Sequence, residues 1–210
     1  VTAGFRRVEN WVYRPACPQC NACLPWRVDA ENFKPSRNMT RIIKKNRDLT
    51  RHITSPNPSD DHYRLFKTYV TSRHKDGQMA QMDQYDFTSM ISNSPIETVL
   101  ISYNDAENTL VGAILGDLQS DGLSAVYSFF EPGLTKRSLG IYMVLDLIKI
   151  AKESDLCWLY VGYYVKGSRK MDYKARFEPA EIFKDGQWRA ANKLRFETTA
   201  LQIQPNWRIY

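Results

Sequence analysis

No stretch of this 210-residue chain is apolar for long enough to cross a bilayer, and no signal-peptide pattern is found in it. Membrane-spanning classes drop out, and the sequence reads as that of a soluble protein. Cysteine is scarce. There are four, three of them crowded at Cys17, Cys20 and Cys23, which is no framework for a disulfide-stapled secreted domain. A reducing cytoplasm fits that usage better. Internal repeats and low-complexity tracts are also missing, so solenoids and arrays are excluded. What remains is a globular balance, 43% hydrophobic and 25% charged, sized for one large domain or two intertwined halves. The chain opens on Val1, and VTAGFRR reads as the middle of something, so residues upstream are expected to be missing.

The net charge of +6 becomes informative once it is located. The segment KPSRNMTRIIKKNRDLTR (34–51) holds Lys34, Arg37, Arg41, Lys44, Lys45, Arg47 and Arg51 against the single acid Asp48, so the rest of the chain is neutral. On a helix capped by Ser36, a rotation of about 100° per residue gathers Arg37, Arg41, Lys44, Lys45 and Arg47 on one side, and Met39, Ile42, Ile43 and Leu49 on the other. Such a face is either simply solvated or contacts a polyanion. Concentration of the whole excess on one helix favours nucleic acid. A membrane-surface helix would carry bulky aromatics at its apolar edge, and this one has none.

Further along, residues 11–14 and 25–28 read as short strands around the cysteines. SPNPSDDHY is a loop leading into a helix from Asp60 to His74, and a second short helix is expected over Tyr85–Ile91. The period then changes. ETVLISY, TLVGAILGDL and LSAVYSFFEP, separated by the turns DAEN and SDG, predict three antiparallel strands. SLGIYMVLDLIKIAKESD is a helix started at Ser138, and LCWLYVGYYV a further apolar strand in which Cys157 is expected to be buried. That order is used by N-acetyltransferase-type acyltransferases, in which strand and helix splay to admit the acyl donor. The expected fold class is α/β (α+β), an antiparallel or mixed sheet flanked by helices. The expected division is 1–95, with the cysteines and the basic helix, and 96–210, the catalytic half.

Four blocks carry a resemblance in combination: GFRRVENWVYRPACPQCNACLPWRV, the RH of SRHKDGQM, GLSAVYSFFEPGLTKRSLGIY, and YVGYYVKGSRKMDYKARFEPAE. In this order they resemble the signature blocks of the aminoacyl-tRNA protein transferases, over roughly Gly4 to Trp188. The CxxCxxC form is similar to the compact bacterial branch, the aspartate/glutamate leucyltransferases. The resemblance implies transfer of leucine from leucyl-tRNA to the α-amine of proteins beginning with Asp or Glu, which marks them for degradation. No cofactor is required for that chemistry, because the donor is an activated ester and positioning with charge stabilisation suffices. An arginyl donor of the same family is the nearest alternative. An acyl-CoA acetyltransferase would leave the basic helix without a reason, and a noncatalytic RNA-binding module would leave residues 124–142 without one.

Candidate site residues follow. Tyr127, Phe129 and Phe130 end a strand and offer either a floor for the terminal adenosine or core packing, with Phe130 on the face opposite the other two. Glu131 is a candidate proton acceptor, or else pairs with an Arg. Arg137, Ser138 and Gly140 resemble the phosphate-binding turn of acyltransferases, although Ser138 is equally a plain helix cap. Tyr160 and Tyr163, on the next strand, complete the expected donor side. For the acceptor, a carboxylate calls for cations and hydroxyls, and SRKMDYKARFEP supplies Lys170, Tyr173 and Arg176, beside Arg169 and Lys174. Arg73 and His74 form a second candidate pair. Cys17, Cys20 and Cys23 would make a structural zinc or iron–sulfur site if an upstream cysteine supplied the fourth ligand.

Overall fold

The computed structural model describes residues 1–75 and 77–191; residues 192–210 of the expected second half lie outside the described residues. Local chemistry sets the helix starts. Ser36 Oγ accepts the Met39 N–H at 3.3 Å and opens α1 (Arg37–Lys45). In α2 (Asp60–Arg73), His62 Nδ1 reaches back to the Ser59 N–H at 3.1 Å, while Asp60 and Asp61 complement the helix dipole. Asp83 caps α3 (Gln84–Ser92) by accepting the Asp86 N–H at 2.8 Å. The longest helix is α4 (Leu139–Glu153).

Strands β1 (Arg6–Val8) and β2 (Trp11–Tyr13) form a separate antiparallel ribbon. The main sheet holds β3 (Leu24–Asp29), β4 (Thr50–Thr54), β5 (Thr98–Asn104), β6 (Leu110–Leu118), β7 (Gly122–Phe130), β8 (Trp158–Tyr164), β9 (Ala180–Lys184) and β10 (Gln187–Ala190). Their order is β10-β9-β3-β8-β7-β6-β5-β4. Every neighbouring pair is antiparallel except β7 and β8, which are parallel because α4 carries the chain back across the sheet between them. Helices α4 and α1 cover one face, where Leu147, Ile148, Met143, Val28 and Leu159 form the larger core. On the other face α2 and α3 bring Phe66 and Phe87 against Phe129, at ring separations of 5.9 and 5.7 Å. No helix among the described residues is long and apolar enough to cross a membrane.

The β5–β7 meander, α1 to α4 and the strand after α4 fall where the sequence pattern places them. Four strands do not announce themselves in sequence: β1, β4, β9 and β10. TRHIT of β4 lies at the sheet edge with most of its residues exposed, so it shows no alternation of apolar and polar positions. Cys157 is corrected from buried to exposed, because β8 begins one residue later. On α1, Met39 is buried but Ile43 is 39% exposed, so the apolar stripe is narrower than the helical wheel suggests.

Candidate active site

The sheet opens between β7 and β8. Only Gly122, Leu123 and Ser124 pair with β8, opposite Trp158, Leu159 and Tyr160; from Ala125 onward the strands part. Both strands bulge there. On β7 an extra residue at Val126 separates the Leu115↔Tyr127 and Gly116↔Ala125 pairs, and on β8 two residues, Val161 and Gly162, face the single Trp26 of β3 between the Arg27↔Tyr160 and Pro25↔Tyr163 pairs. Gly162, at φ +81°, belongs to that second bulge. A bulge adds local twist and bends its strand, so two of them facing outward drive the pair apart. Beyond Ser124, residues 125–128 are half-buried rather than buried, as strand residues without a neighbour must be.

Arg6 fills the gap. Its Nη2 donates to the carbonyls of Ala125 at 2.7 Å and Val126 at 3.1 Å, which satisfies two acceptors of the bulge that have lost the ladder. Across the gap its guanidinium lies against Gly162, where a Cβ would sit 3.1 Å from Arg6 Cζ. Arg6 Nη1 is shut off from solvent and makes no hydrogen bond of ordinary geometry, with the Tyr13 phenol as the nearby side chain that supports the guanidinium's charge. Burial lowers the Arg6 pKa. Arg7 points the other way, as strand alternation requires, into a bidentate pair with Asp117 at 2.7 and 2.6 Å. That pair pins the ribbon to β6 and thereby holds Arg6 in place.

Lys174, on the 3-10 turn Asp172–Arg176, donates to the Tyr163 carbonyl at 2.6 Å. Burial first and Arg6 second push its pKa down to about 7. Three phenols complete the cluster. Tyr127 has a buried hydroxyl without a partner and a pKa raised by burial and then by Tyr69. Tyr173 is raised by burial and feels Tyr69 and Arg6. Tyr69, from α2, packs on Phe130 at 4.9 Å and on His74 at 5.8 Å, and burial raises its pKa as well. Desolvation lowers the pKa of exposed His74, with Lys170 and Arg73 adding to the effect.

Of the residues singled out in sequence, Tyr127, Tyr173, Lys170, Arg73 and His74 therefore lie in or around this cluster. Tyr163 borders it, its hydroxyl donating to the Gly4 and Tyr13 carbonyls at 3.1 Å, with a pKa pushed up to about 12 by burial. Tyr160 sits at the paired end of β8, donating to Asp121 Oδ2 at 2.7 Å. Phe129 is core, 1% exposed. Glu131 Oε1 accepts the Gly133 N–H at 3.0 Å and lines an open cavity of about 400 Å³ with Asp61, Arg64 and Asn108. Arg137 faces α1: Nε donates to Asn46 Oδ1 at 3.0 Å and the guanidinium pairs with Asp48. Ser138 holds the α4 cap position at φ +55° without a side-chain cap bond. Gly140 leaves room for Phe130, whose ring lies 3.1 Å from where a Cβ would stand. Arg176 is exposed, as are Arg37, Arg41, Lys44, Lys45 and Arg47, and Lys45 Nζ donates to the Lys136 carbonyl at 2.8 Å.

Arg6 is the residue that sequence reading passes over, while Lys174 stands there only beside the acceptor candidates and is given no role. The Arg6-Arg7 doublet and the SRKMDYKARFEP block are their only signals in sequence, and the splay is what brings the two side chains together. The cysteines do not fit the metal site expected of them. Cys17, Cys20 and Cys23 lie on an irregular segment, Cys17 is exposed, and no group of three His, Cys, Asp or Glu among the described residues is arranged to hold a metal ion.

Comparison with known proteins places this geometry. The family model described as "Arginine-tRNA-protein transferase, C terminus" matches residues 61–184, and its N-terminal counterpart matches residues 1–41. The chain belongs to the arginine-tRNA-protein transferase family. It is 45% identical to an aspartate/glutamate leucyltransferase of Cereibacter sphaeroides, over 96% of this chain and 75% of that protein. It is 47% identical to the enzyme of that name from Paramagnetospirillum magneticum, over 89% and 77%. Among solved structures, L-PGS from Bacillus licheniformis shares the fold at TM-score 0.57 and 13% identity, over 80% of this chain and 58% of that one. The C-terminal domain of a putative lysylphosphatidylglycerol synthetase from Agrobacterium fabrum does so at 0.57 and 9%, over 77% and 58%. This arginine-tRNA-protein transferase family member thus has the N-acetyltransferase-like mixed sheet that the strand order led one to expect.

Proposed function

We propose that this chain transfers leucine from leucyl-tRNA to the N-terminal α-amine of proteins beginning with Asp or Glu, in the cytoplasm. The observation that carries the reading is 45–47% identity, over most of the chain, to curated aspartate/glutamate leucyltransferases. The splayed sheet supports it chemically. The acceptor amine forms an N–C bond to the ester carbonyl, the bond from that carbon to the ribose oxygen breaks, the amine's proton departs, and the ribose oxygen takes one up. A buried phenol kept protonated suits the developing oxyanion, and Tyr127, whose hydroxyl lacks a partner, is assigned that role. Phe130 and Tyr69 offer an aromatic wall to the donor's terminal adenosine. The exposed cations of α1, within the 1–95 half, hold the tRNA backbone, and Lys170 with His74 lies at the acceptor's rim.

The description of the matched family model favours arginine as a second donor. One experiment separates the readings: incubation with leucyl-tRNA, arginyl-tRNA or acetyl-CoA and a peptide beginning with Asp, read by mass spectrometry. Gain of a leucyl residue from leucyl-tRNA alone is expected. Gain of arginyl or acetyl instead would overturn the proposal.

A further inference from the structure

Two cations meet at the splay, and neither has a carboxylate within ion-pair distance among the described residues. Arg6 approaches from the β7 side, through the bulge carbonyls, and Lys174 from the β8 side, through the Tyr163 carbonyl. Each therefore uses part of its donor capacity on backbone and holds part in reserve. Arg6 Nη1 is out of solvent and makes no hydrogen bond of ordinary geometry, only Tyr13 standing near the guanidinium, an arrangement that costs stability unless a stronger acceptor occupies it. Gly162 lets the guanidinium pack this close, because a Cβ there would stand 3.1 Å from Arg6 Cζ and 3.3 Å from Nη1. The Tyr127 hydroxyl, unpaired, lies in the same cluster.

An anion is what this arrangement lacks. A tRNA phosphate would be met by flexible exposed side chains, as on α1, whereas a small carboxylate at the end of a short side chain fits a partly desolvated pair of donors fixed by backbone contacts. Resting on the proposed transfer reaction, we propose that Arg6 and Lys174 form the subsite that receives the side-chain carboxylate of the acceptor's N-terminal Asp or Glu. The site then reads charge, and the α-amine is carried toward Tyr127 by the same contact. Burial first and the Arg6 charge second hold the Lys174 pKa down, and a carboxylate beside its ammonium would raise it.

The test is steady-state leucyl transfer to peptides that begin with Asp, Glu, Asn or Gln, using the full-length protein with Lys174→Met, Lys174→Arg and Arg6→Gln. Asn and Gln keep the shape of the acidic residues and remove the charge. In Lys174→Met the preference for Asp over Asn should collapse by about thirty-fold or more, with Asn transfer held within a few fold. Lys174→Arg should retain most of the preference. Because Arg6 also supports the bulge, Arg6→Gln can lose stability, and the Lys174 variants carry the test in that case. If Lys174→Met keeps the parent's Asp-over-Asn ratio, or lowers both peptides equally, the proposal is wrong. A parent protein that transfers leucine to no peptide would instead overturn the proposed function.

Discussion

The Arg7–Asp117 pair invites the most direct test of how the site is held. Asp117→Asn keeps the side chain's shape and removes its charge, leaving Arg7 in an environment where its side chain is 3% exposed and its partner's 0%. A surface ion pair contributes about 0.2–1 kcal/mol, but removing one partner of a buried pair costs about 3–5 kcal/mol because the survivor is uncompensated. Arg7 retains two carbonyl acceptors, Glu9 at 2.8 Å and Asn93 at 3.3 Å, and Thr98 Oγ1, which donates to Asp117 Oδ1 at 2.8 Å, can still donate to the amide oxygen. These contacts place the expected loss at the lower end, about 3 kcal/mol. Urea denaturation should show a lower midpoint with an unchanged m-value. The double variant Arg7→Met/Asp117→Leu should recover much of the loss, since an apolar pair needs no partner. Transfer activity supplies the second readout. Arg7 anchors the strand that carries Arg6, so Asp117→Asn protein that remains folded should transfer more slowly to Asp peptides. A stability change below about 1 kcal/mol, with activity intact, would mean that the ribbon is held by other contacts and that the pair behaves like a surface bridge.

Replacing Arg37, Arg41, Lys44 and Lys45 together by Gln should weaken leucyl-tRNA binding and flatten its salt dependence by about one unit of slope for each phosphate left without a cation. A salt titration unchanged from the parent would leave α1 as a solvated face. Lys174 should make stability depend on pH. Its pKa is lowered from an ordinary 10.5 to about 7 on folding, so between those values the unfolded chain binds more protons and stability rises with pH. The groups facing it are the Arg6 guanidinium, charged throughout that range, and the neutral Tyr163 carbonyl. The slope should reach about 1 kcal/mol per pH unit near pH 8 in denaturation curves, and Lys174→Met should remove it. Gly122→Ala should destabilise by about 1–3 kcal/mol or more, because its Cβ would stand 2.4 Å from the Trp158 carbonyl, in the short paired segment of β7 and β8. Thermal melting of that variant checks it, and an unshifted Tm would show that the pairing tolerates a shift.

What could be read from the sequence was whatever depends on local period. Ser36 with the 3.6-residue pattern of Met39 and Ile42 placed α1, and turn residues with two-residue alternation placed β5 to β7. The Val126 bulge could not be read. One extra residue reverses the facing of everything after it, so Leu123 and Ala125 point to the α4 side while Tyr127 and Phe129 point to α2. Nor does Arg137 declare in sequence that it will turn toward Asn46 and Asp48 on α1, since those partners are some 90 positions away along the chain. The doublet Arg6-Arg7 held a usable signal. Two arginines in succession on a strand must face opposite sides, so each needs its own buried acceptor or an exposed face.

Why the sheet is left open at β7 and β8 bears on what Arg6 does there. Closing the gap would restore ladder hydrogen bonds to Ala125 and Val126, and an apolar residue in place of Arg6 would bury no charge. The fold instead bulges both strands, places a positive-φ glycine at position 162, and anchors a guanidinium across the gap through a buried ion pair one residue further on. Each of these costs stability relative to a regular sheet, and they converge on one point. Departures from local regularity that support one another in this way belong to sites, not to scaffolds. If Arg6 served only to cap the two carbonyls, Nη2 would suffice for that, and a desolvated Nη1 with no hydrogen bond of ordinary geometry would be a loss that Tyr13 offsets only in part. The loss is accounted for when the donor is kept for a ligand that arrives with its own negative charge.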